Sequence, residues 1–548
     1  MTCQLFALSA EEERLRLLAS GTALDVLLTL ILRHRVAEVG AVRAAFDQVL
    51  RRKGMGAEAL AAQRESVLAG RHPELAGALE ALRELRERLA VASLAGPGAE
   101  GADAHTSLLA EWTAQRTRME IDLGRAIPDL ALAARLRRAD VASVAQALPA
   151  GSVLVDIVQF VPADLGTGKR DPARLLAFVL RAKGDDDVQL VDLGEAEPIA
   201  RDLALFRDSV TGQADLRAIN LVVRKPKADV QAGDRLYNAV LAPLRAALGG
   251  SRRLFVSPDG ALNRLPFEIL PLGDGRRLID EYTVSYLGAA RDVLRFGHAS
   301  AVGGAEPLVV ADPDFELSVT AASWHPSTGL SFARLPATRI EGELVAGLLG
   351  ARTRFGVEAV ERAVKGSGSP RVLHIATHGY FLPESETSSA PAGVPGRLQD
   401  RLANPMLRSG LAFAGANTWL ANGALPPKAQ DALFTAEDVS GLDLGATDLV
   451  VLSACETGLG EVQAGEGVFG LRRAFVLAGA RTLVISLWQV PDQQTQELMV
   501  AFYRGVLAGA SRVDALRQAQ LALKERFPEP LFWGAFICLG ESGPLAMP

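Results

Sequence analysis

Asp448-Leu-Val-Val-Leu-Ser-Ala-Cys455-Glu-Thr-Gly-Leu-Gly460 is the stretch on which the reading of the whole chain turns. Leu449 to Leu452 form an apolar run of strand length, end in small residues and deliver Cys455 to a glycine-rich turn. Upstream, Arg371-Val-Leu-His374-Ile-Ala-Thr377-His378-Gly379 has the same build, a short apolar run ending on a reactive side chain before glycine. Buried parallel strands read as continuous apolar runs. Reactive and ligand-binding groups of open α/β sheets sit beyond the carboxyl ends of such strands. Two of them therefore present a thiol and an imidazole, 77 positions apart in sequence, at one sheet edge. That pairing is the geometry of a cysteine nucleophile with a histidine partner.

The composition narrows the classes. With 548 residues, a net charge of −6 and 49% hydrophobic residues, the chain is expected to form several globular domains. No basic stripe interleaved with aromatics occurs, which argues against nucleic acid as a direct partner. The three cysteines, Cys3, Cys455 and Cys538, are far apart and odd in number, which suits a reducing cytosol and not a disulfide framework. No apolar run approaches the ~18 residues of a membrane span, and the N-terminus lacks the order of a signal peptide. A cytoplasmic protein without membrane contact is expected.

The first 149 residues read as helices, over 9–19, 23–51, 57–69, 73–92, 107–126 and 130–147, rich in strong helix formers and in i,i+4 pairs such as Glu84–Arg88. No clean repeat of about 34 residues is visible. Beyond Pro149 strands are expected at 152–160, 174–181, 187–192 and 253–257, with helices over 197–211 and 230–248. A second α/β series starts near Pro307, with helices at 337–350 and 357–364. After the His378 strand comes a Gly/Pro/Ser-rich insertion, 383–427, of the length that is usually functional or mobile. The Cys455 strand, a helix over 467–478, a strand at 482–488, helices over 493–507 and 511–527 and a strand at 533–539 complete the chain. Alternating strands and helices imply a mostly parallel sheet with helices on both faces.

Cys455 is the candidate nucleophile because Ser453, Ala454, Glu456, Thr457 and Gly458 around it are too small and polar for a core. Amide dipoles and an imidazole lower a thiol pKa at such a turn. Cys538, in Phe536-Ile-Cys-Leu, is expected to be buried filler. His378 is the candidate base, followed by Gly379, whose amide can approach an oxyanion without Cβ obstruction. His374 lies four residues earlier, about 13 Å along a strand, and reads as a core histidine or one that supports the site from behind. A strand cannot bring both histidines to one metal as a helical HExxH does, so no metal site is expected, and no cofactor. Gly458 to Gly467 lacks the Lys and Ser/Thr that close a phosphate loop and reads as a flexible active-site loop.

Together these residues resemble the CHAT family of bacterial caspase-like cysteine peptidases, related to caspases and separase. His374-Ile-Ala-Thr-His-Gly379 is similar to the family's histidine motif and Leu452-Ser-Ala-Cys-Glu-Thr-Gly458 to its cysteine motif. Pro258-Asp-Gly-Ala-Leu, Leu265-Pro-Phe-Glu, Gly465 to Phe475, Ala478-Gly-Ala-Arg and Ser486-Leu-Trp-Gln-Val-Pro-Asp492 support the match. The resemblance implies a caspase-like α/β fold with a helical region at 1–149 resembling those linked to tetratricopeptide repeats. A non-catalytic companion half would follow at 150–300 and a catalytic half at 301–548. It implies cleavage of protein substrates through a thioester at Cys455, with His378 as acid and base and the amides of Gly379 and Cys455 as oxyanion hole. The family context adds bacterial defence or programmed cell death, a gasdermin-like pore-former as substrate, and a regulatory protein bound by the N-terminal helices. By likeness to separases, Asp492 would read a basic residue before the cut. The same acid between a strand and a helix also fits an N-cap. Trp488 would wall that pocket or merely pack, and Glu461, Glu466 and Asp431 are further acids near the site. A catalytically silent scaffold or interaction module is the alternative.

Overall fold

The computed structural model describes residues 22–53, 73–95, 101–126, 136, 138–163, 170–182, 188–212, 230–297, 304–319, 331–381, 405–421, 423–429, 432–454, 461–463 and 467–545. One eleven-stranded sheet runs through it. Its first strands are β1 (Ser152–Phe160), β2 (Arg174–Arg181), β3 (Gln189–Glu195), β4 (Arg253–Ser257) and β5 (Thr283–Tyr286). Then come β6 (Leu308–Pro313), β7 (Arg352–Gly356), β8 (Val372–Ala376), β9 (Leu449–Leu452), β10 (Thr482–Ser486) and β11 (Phe536–Gly540). Across the sheet the order is β3-β2-β1-β4-β5-β11-β10-β9-β8-β6-β7. Neighbours are parallel except at β3-β2, β2-β1 and β11-β10, as the mostly parallel expectation required.

The helices used below are α1 (Thr22–Leu30), α2 (Val39–Arg52), α3 (Ala76–Ala95), α4 (Ala102–Ala126), α5 (Val141–Ala147) and α6 (Ala196–Thr211). They continue with α7 (Pro336–Leu349), α8 (Ala436–Ser440), α9 (Leu471–Leu477), α10 (Asp492–Leu507) and α11 (Arg512–Arg526). None of the described helices is long and apolar enough to cross a membrane.

The apolar runs of β1 and β2 follow from burial on both faces. Val153, Val155 and Ile157 with Leu175, Ala177 and Val179 join the core under α6. The intervening Leu154, Val158, Leu176, Phe178 and Leu180 pack against Leu28, Val42, Phe46 and Val49 of α1 and α2 and Val144 of α5. Phe46 stacks on Phe178 with ring centroids 4.8 Å apart. Each such side chain contributes roughly 1.5–3 kcal/mol on burial, and a one-residue slip would exchange the two sets, so the register is strongly fixed. Just past α2, the buried Lys53 ammonium donates to Asp156 Oδ1 and the Ile157 carbonyl, both at 2.7 Å. It also donates to Ser257 Oγ (2.8 Å) and the Ser257 carbonyl (3.0 Å), tying the helices to the ends of β1 and β4.

Helices α3 and α4 pack on each other and meet α8. Arg86 and Arg116 approach Glu437 Oε1 at 3.8 and 3.7 Å. Lys365 pairs with Glu87 at 2.9 Å and lies 3.6 Å from Asp438. Helix α8 follows the strand Leu433–Thr435 of a small antiparallel sheet, whose other strands are Ser409–Ala412 and Gly379–Phe381.

Several local readings change. The helix expected over 23–51 is broken by a π-helical turn at Ile31–Arg35 and by residues 36–38. The insertion expected over 383–427 holds a strand, Ser409–Ala412, and a short helix, Ala416–Leu420. Helix α9 begins only at Leu471, after a strand at Gly467–Phe469. Strands β5 and β7 were not expected: β5 is short, and β7 is an edge strand carrying Arg352 and Arg354, where no continuous apolar run is needed.

Candidate active site

Strands β8 and β9 lie side by side near the middle of the second half of the sheet and run parallel. Their register pairs each residue with the one 77 positions later, Val372 with Leu449 through Ile375 with Leu452. The ladder continues one step further, the Ser453 amide donating to the Ile375 carbonyl at 2.9 Å. Ser486 of β10 donates its hydroxyl to the Ala454 carbonyl and so anchors the last described peptide before Cys455. Cys455 itself lies outside the described residues, as do Cys3, Asp431 and Glu466.

His378 follows β8 by two residues, and its backbone is held from the small sheet. The Ala412 amide donates to the His378 carbonyl at 2.9 Å, and Thr377 Oγ1 donates to the Ala412 carbonyl. That first bond makes Gly379 and Leu411 a non-hydrogen-bonded pair of the antiparallel ladder. The Gly379 amide is therefore directed away from Leu411.

The imidazole of His378 packs against Phe315 and Phe332, with ring centroids 5.4 and 5.7 Å away, and those two rings also touch each other at 5.8 Å. Its Nε2 lies 2.7 Å from the Ala333 carbonyl oxygen. A carbonyl has no proton to give, so Nε2–H is the donor and the neutral ring carries its lone pair on Nδ1. Burial pushes the imidazole below its ordinary 6.5, against the Ala333 carbonyl and Asp492, which both favour the cation. A base held neutral and in one tautomer is what proton abstraction needs.

Asp492 is the first residue of α10, and Pro491 holds the N-cap position without a side-chain bond. The capping reading of Asp492 is thereby corrected, because proline occupies the position and offers no acceptor side chain. Partial burial, and after it the negative charge of Glu341, raise the Asp492 carboxyl above 3.8, while His378 acts the other way. Beneath it, His374 is fully buried on β8, with Nε2 3.1 Å from Glu341 Oε1 of α7 and Nδ1 3.2 Å from the Tyr503 hydroxyl of α10. This matches a core histidine. Burial drives the Tyr503 hydroxyl well above its usual range.

Trp488 is 3% exposed, and its indole N–H donates to the Leu531 carbonyl at 3.1 Å. Arg207 of α6 lies 5.9 Å from the ring centroid and donates to the Leu487 carbonyl, so the ring packs at the seam between the halves. Glu461 opens the strand Glu461–Gln463, opposite Phe469. Cys538 is buried in β11 and its thiol is pushed up to about 12, an inert filler. The Ala333 carbonyl was not foreseen, since a main-chain oxygen on a loop leaves no mark in sequence.

Comparisons with known proteins follow the same lines. Residues 230–541 match the profile of the CHAT domain. Tetratricopeptide repeat protein 28 of Homo sapiens is 26% identical over 335 residues, 57% of this chain and 13% of that protein. The Mus musculus protein of the same name is 25% identical over 334 residues. The chain thus spans 13% of the length of the curated relatives it matches. Among solved structures, the Saccharomyces cerevisiae separase–securin complex aligns over 84% of this chain and 36% of that one, at 9% identity and TM-score 0.44. The Arg-specific cysteine proteinase gingipain R aligns over 64% of this chain and 75% of that one, at 9% identity and TM-score 0.33.

Proposed function

Because the chain belongs to the CHAT domain family, we propose that it is a cysteine endopeptidase that cuts protein partners with Cys455 and His378. The observation that carries this reading is the parallel register of β8 and β9. Its offset of 77 equals the sequence separation of His378 and Cys455, and both strands run toward the same edge of the sheet, which supports the pairing. His378 Nδ1 takes the thiol proton, and the sulfur attacks the peptide carbonyl. The oxyanion is met by the amides of Gly379 and Cys455, each such donor typically worth ~3–4 kcal/mol. The proton passes from His378 to the departing amine as the C–N bond breaks, leaving a thioester. Water, deprotonated by the same imidazole, releases the acid and restores the thiol.

Asp492 acts as the reader of a basic residue before the cut, an acid near His378 that spends no hydrogen bond on capping its helix. Trp488 and Glu461 are further candidates for substrate contact in that region. A gasdermin-like pore-former as substrate, a role in bacterial defence or cell death and a cytoplasmic location are carried by the family resemblance. The scaffold alternative draws on the likeness to a tetratricopeptide repeat protein, with a partner bound by α3 and α4.

Cys455→Ala and His378→Ala are expected to abolish cleavage of a peptide library at unchanged folding. Parental rates in both variants would remove the dyad, and a parent that cuts nothing and leaves Cys455 unlabelled by electrophiles would favour the scaffold. Asp492→Asn is expected to erase the preference for Arg or Lys before the cut. A library profile already indifferent to those residues in the parent would take Asp492 out of the pocket.

A further inference from the structure

Asn417 lies on the short helix Ala416–Leu420, away from both sequence motifs, yet its bonds converge on what surrounds His378. Its Oδ1 accepts from the Phe332 amide at 2.9 Å, and its Nδ2 donates to the Phe332 carbonyl, also at 2.9 Å. The same Nδ2 donates to Glu316 Oε1 at 2.6 Å. Its own main-chain amide donates to the Phe315 carbonyl at 3.0 Å. One nearly buried residue thus pins the main chain of both aromatic neighbours of the imidazole, and Phe332 precedes the Ala333 carbonyl that holds Nε2. On the far side of Ala333, Arg334 forms a two-point pair with Asp312, Nε at 3.2 Å and Nη2 at 3.1 Å. Asp312, the penultimate residue of β6, has φ of +45°, in the left-handed region, and its amide donates to Thr338 Oγ1 of α7 at 3.0 Å. Backbone strain of that kind persists where surrounding bonds over-determine the conformation.

We propose that Asn417 is a positioning residue for the base, holding Phe332 and Phe315 so that the Ala333 carbonyl fixes His378 with Nδ1 unprotonated. The inference rests on the peptidase reading for its effect on rate, but its effect on the imidazole stands apart from it. A carbonyl displaced by an ångström no longer selects the tautomer, and the ring then divides between Nε2–H and Nδ1–H forms. Only the first leaves the base lone pair on Nδ1. Loosened aromatic neighbours also readmit water and relax the lowered pKa of the ring.

The test uses the full chain with labelled histidine, the His378 resonances being assigned by loss in His378→Gln. In the parent, His378 is expected as a single Nε2–H tautomer titrating below 6.5. In Asn417→Leu it is expected as a mixture titrating closer to that value, with kcat lowered about 10- to 100-fold and KM changed less than about threefold. Asn417→Ala removes the same side-chain bonds without adding bulk or charge, so a shift in the same direction is expected. It also serves as the readout if the leucine variant does not fold. An unchanged tautomer and titration midpoint in both variants would overturn the proposal. Altered spectra in a chain whose parent cuts no peptide would keep the positioning role and remove the peptidase reading instead.

Discussion

At the scale of single residues, the electrostatics of His378 are set by what packs against its ring and what bonds it. Phe315 and Phe332 remove water and lower the pKa, whereas Asp492 and the Ala333 carbonyl raise it. The first influence is the larger, so the neutral form prevails at neutral pH. A depressed histidine pKa also ties stability to pH: the contribution is present above the unfolded value near 6.5 and lost as pH falls through the lower folded value. Phe315→Ala is expected to move the acid limb of Cys455 alkylation, or of kcat/KM, to higher pH. A limb that stays put would show that ring cover is not what lowers the pKa. His378 and Cys455 stand out as candidates in the sequence because each follows a short apolar run and precedes a glycine or a cluster of small and polar residues. Ala333 and Asn417 do not, because one acts through a peptide oxygen and the other through a peptide it grips. Asp492 was legible as an acid between strand and helix, but that Pro491 and not Asp492 takes the N-cap position needed the backbone.

Among the elements, the parallel pair β8-β9 was readable as two apolar runs of one build, and both strands lie where those runs fall. The edge strand β7 escaped notice because its Arg-Thr-Arg-Phe pattern is that of a strand bonded to a single neighbour. At the opposite end of the sheet, Lys53 joins a helix terminus to β1 and β4 through a buried ion pair, 3% and 0% exposed at Lys53 and Asp156. Removing one partner of such a pair strands the other charge. Lys53→Met is therefore expected to destabilise by roughly 3–5 kcal/mol, and adding Asp156→Leu should restore part of it. Chemical denaturation of both variants decides, and equal loss in single and double variants would deny the pairing. Glu437, facing Arg86 and Arg116, holds α3 and α4 to α8. Glu437→Ala should speed amide exchange over 76–126 while β8 and β9 remain protected. Unchanged exchange would mean that apolar contacts alone hold the helices.

For the molecule as a whole, the sheet crosses from one half to the other at β5 and β11, and the polar groups at that seam are buried. Tyr286 of β5 donates to Glu268 Oε2 at 2.6 Å and accepts from the Phe267 amide at 2.7 Å. Burial raises Glu268 from 4.5 to about 7 and lowers Arg472 of α9 to about 10. For Glu268 the folded pKa is the higher one. Its stabilising share is complete below 4.5 and lost as pH rises through about 7. Glu268→Gln is expected to raise the melting temperature over the parent at about pH 8.5 and to leave it unchanged at about pH 4. Equal differences at both pH values would mean that the acid does not titrate in this range.

The order in which a ribosome delivers the strands gives the seam another meaning. β11 emerges after all ten others, yet it lies between β5 and β10, in the interior of the sheet. Until residue 536 has left the exit tunnel, a nascent chain has two half-sheets with bare facing edges. The candidate site stands on the second of them, so it gains a neighbour on that side of the sheet only once β11 has docked.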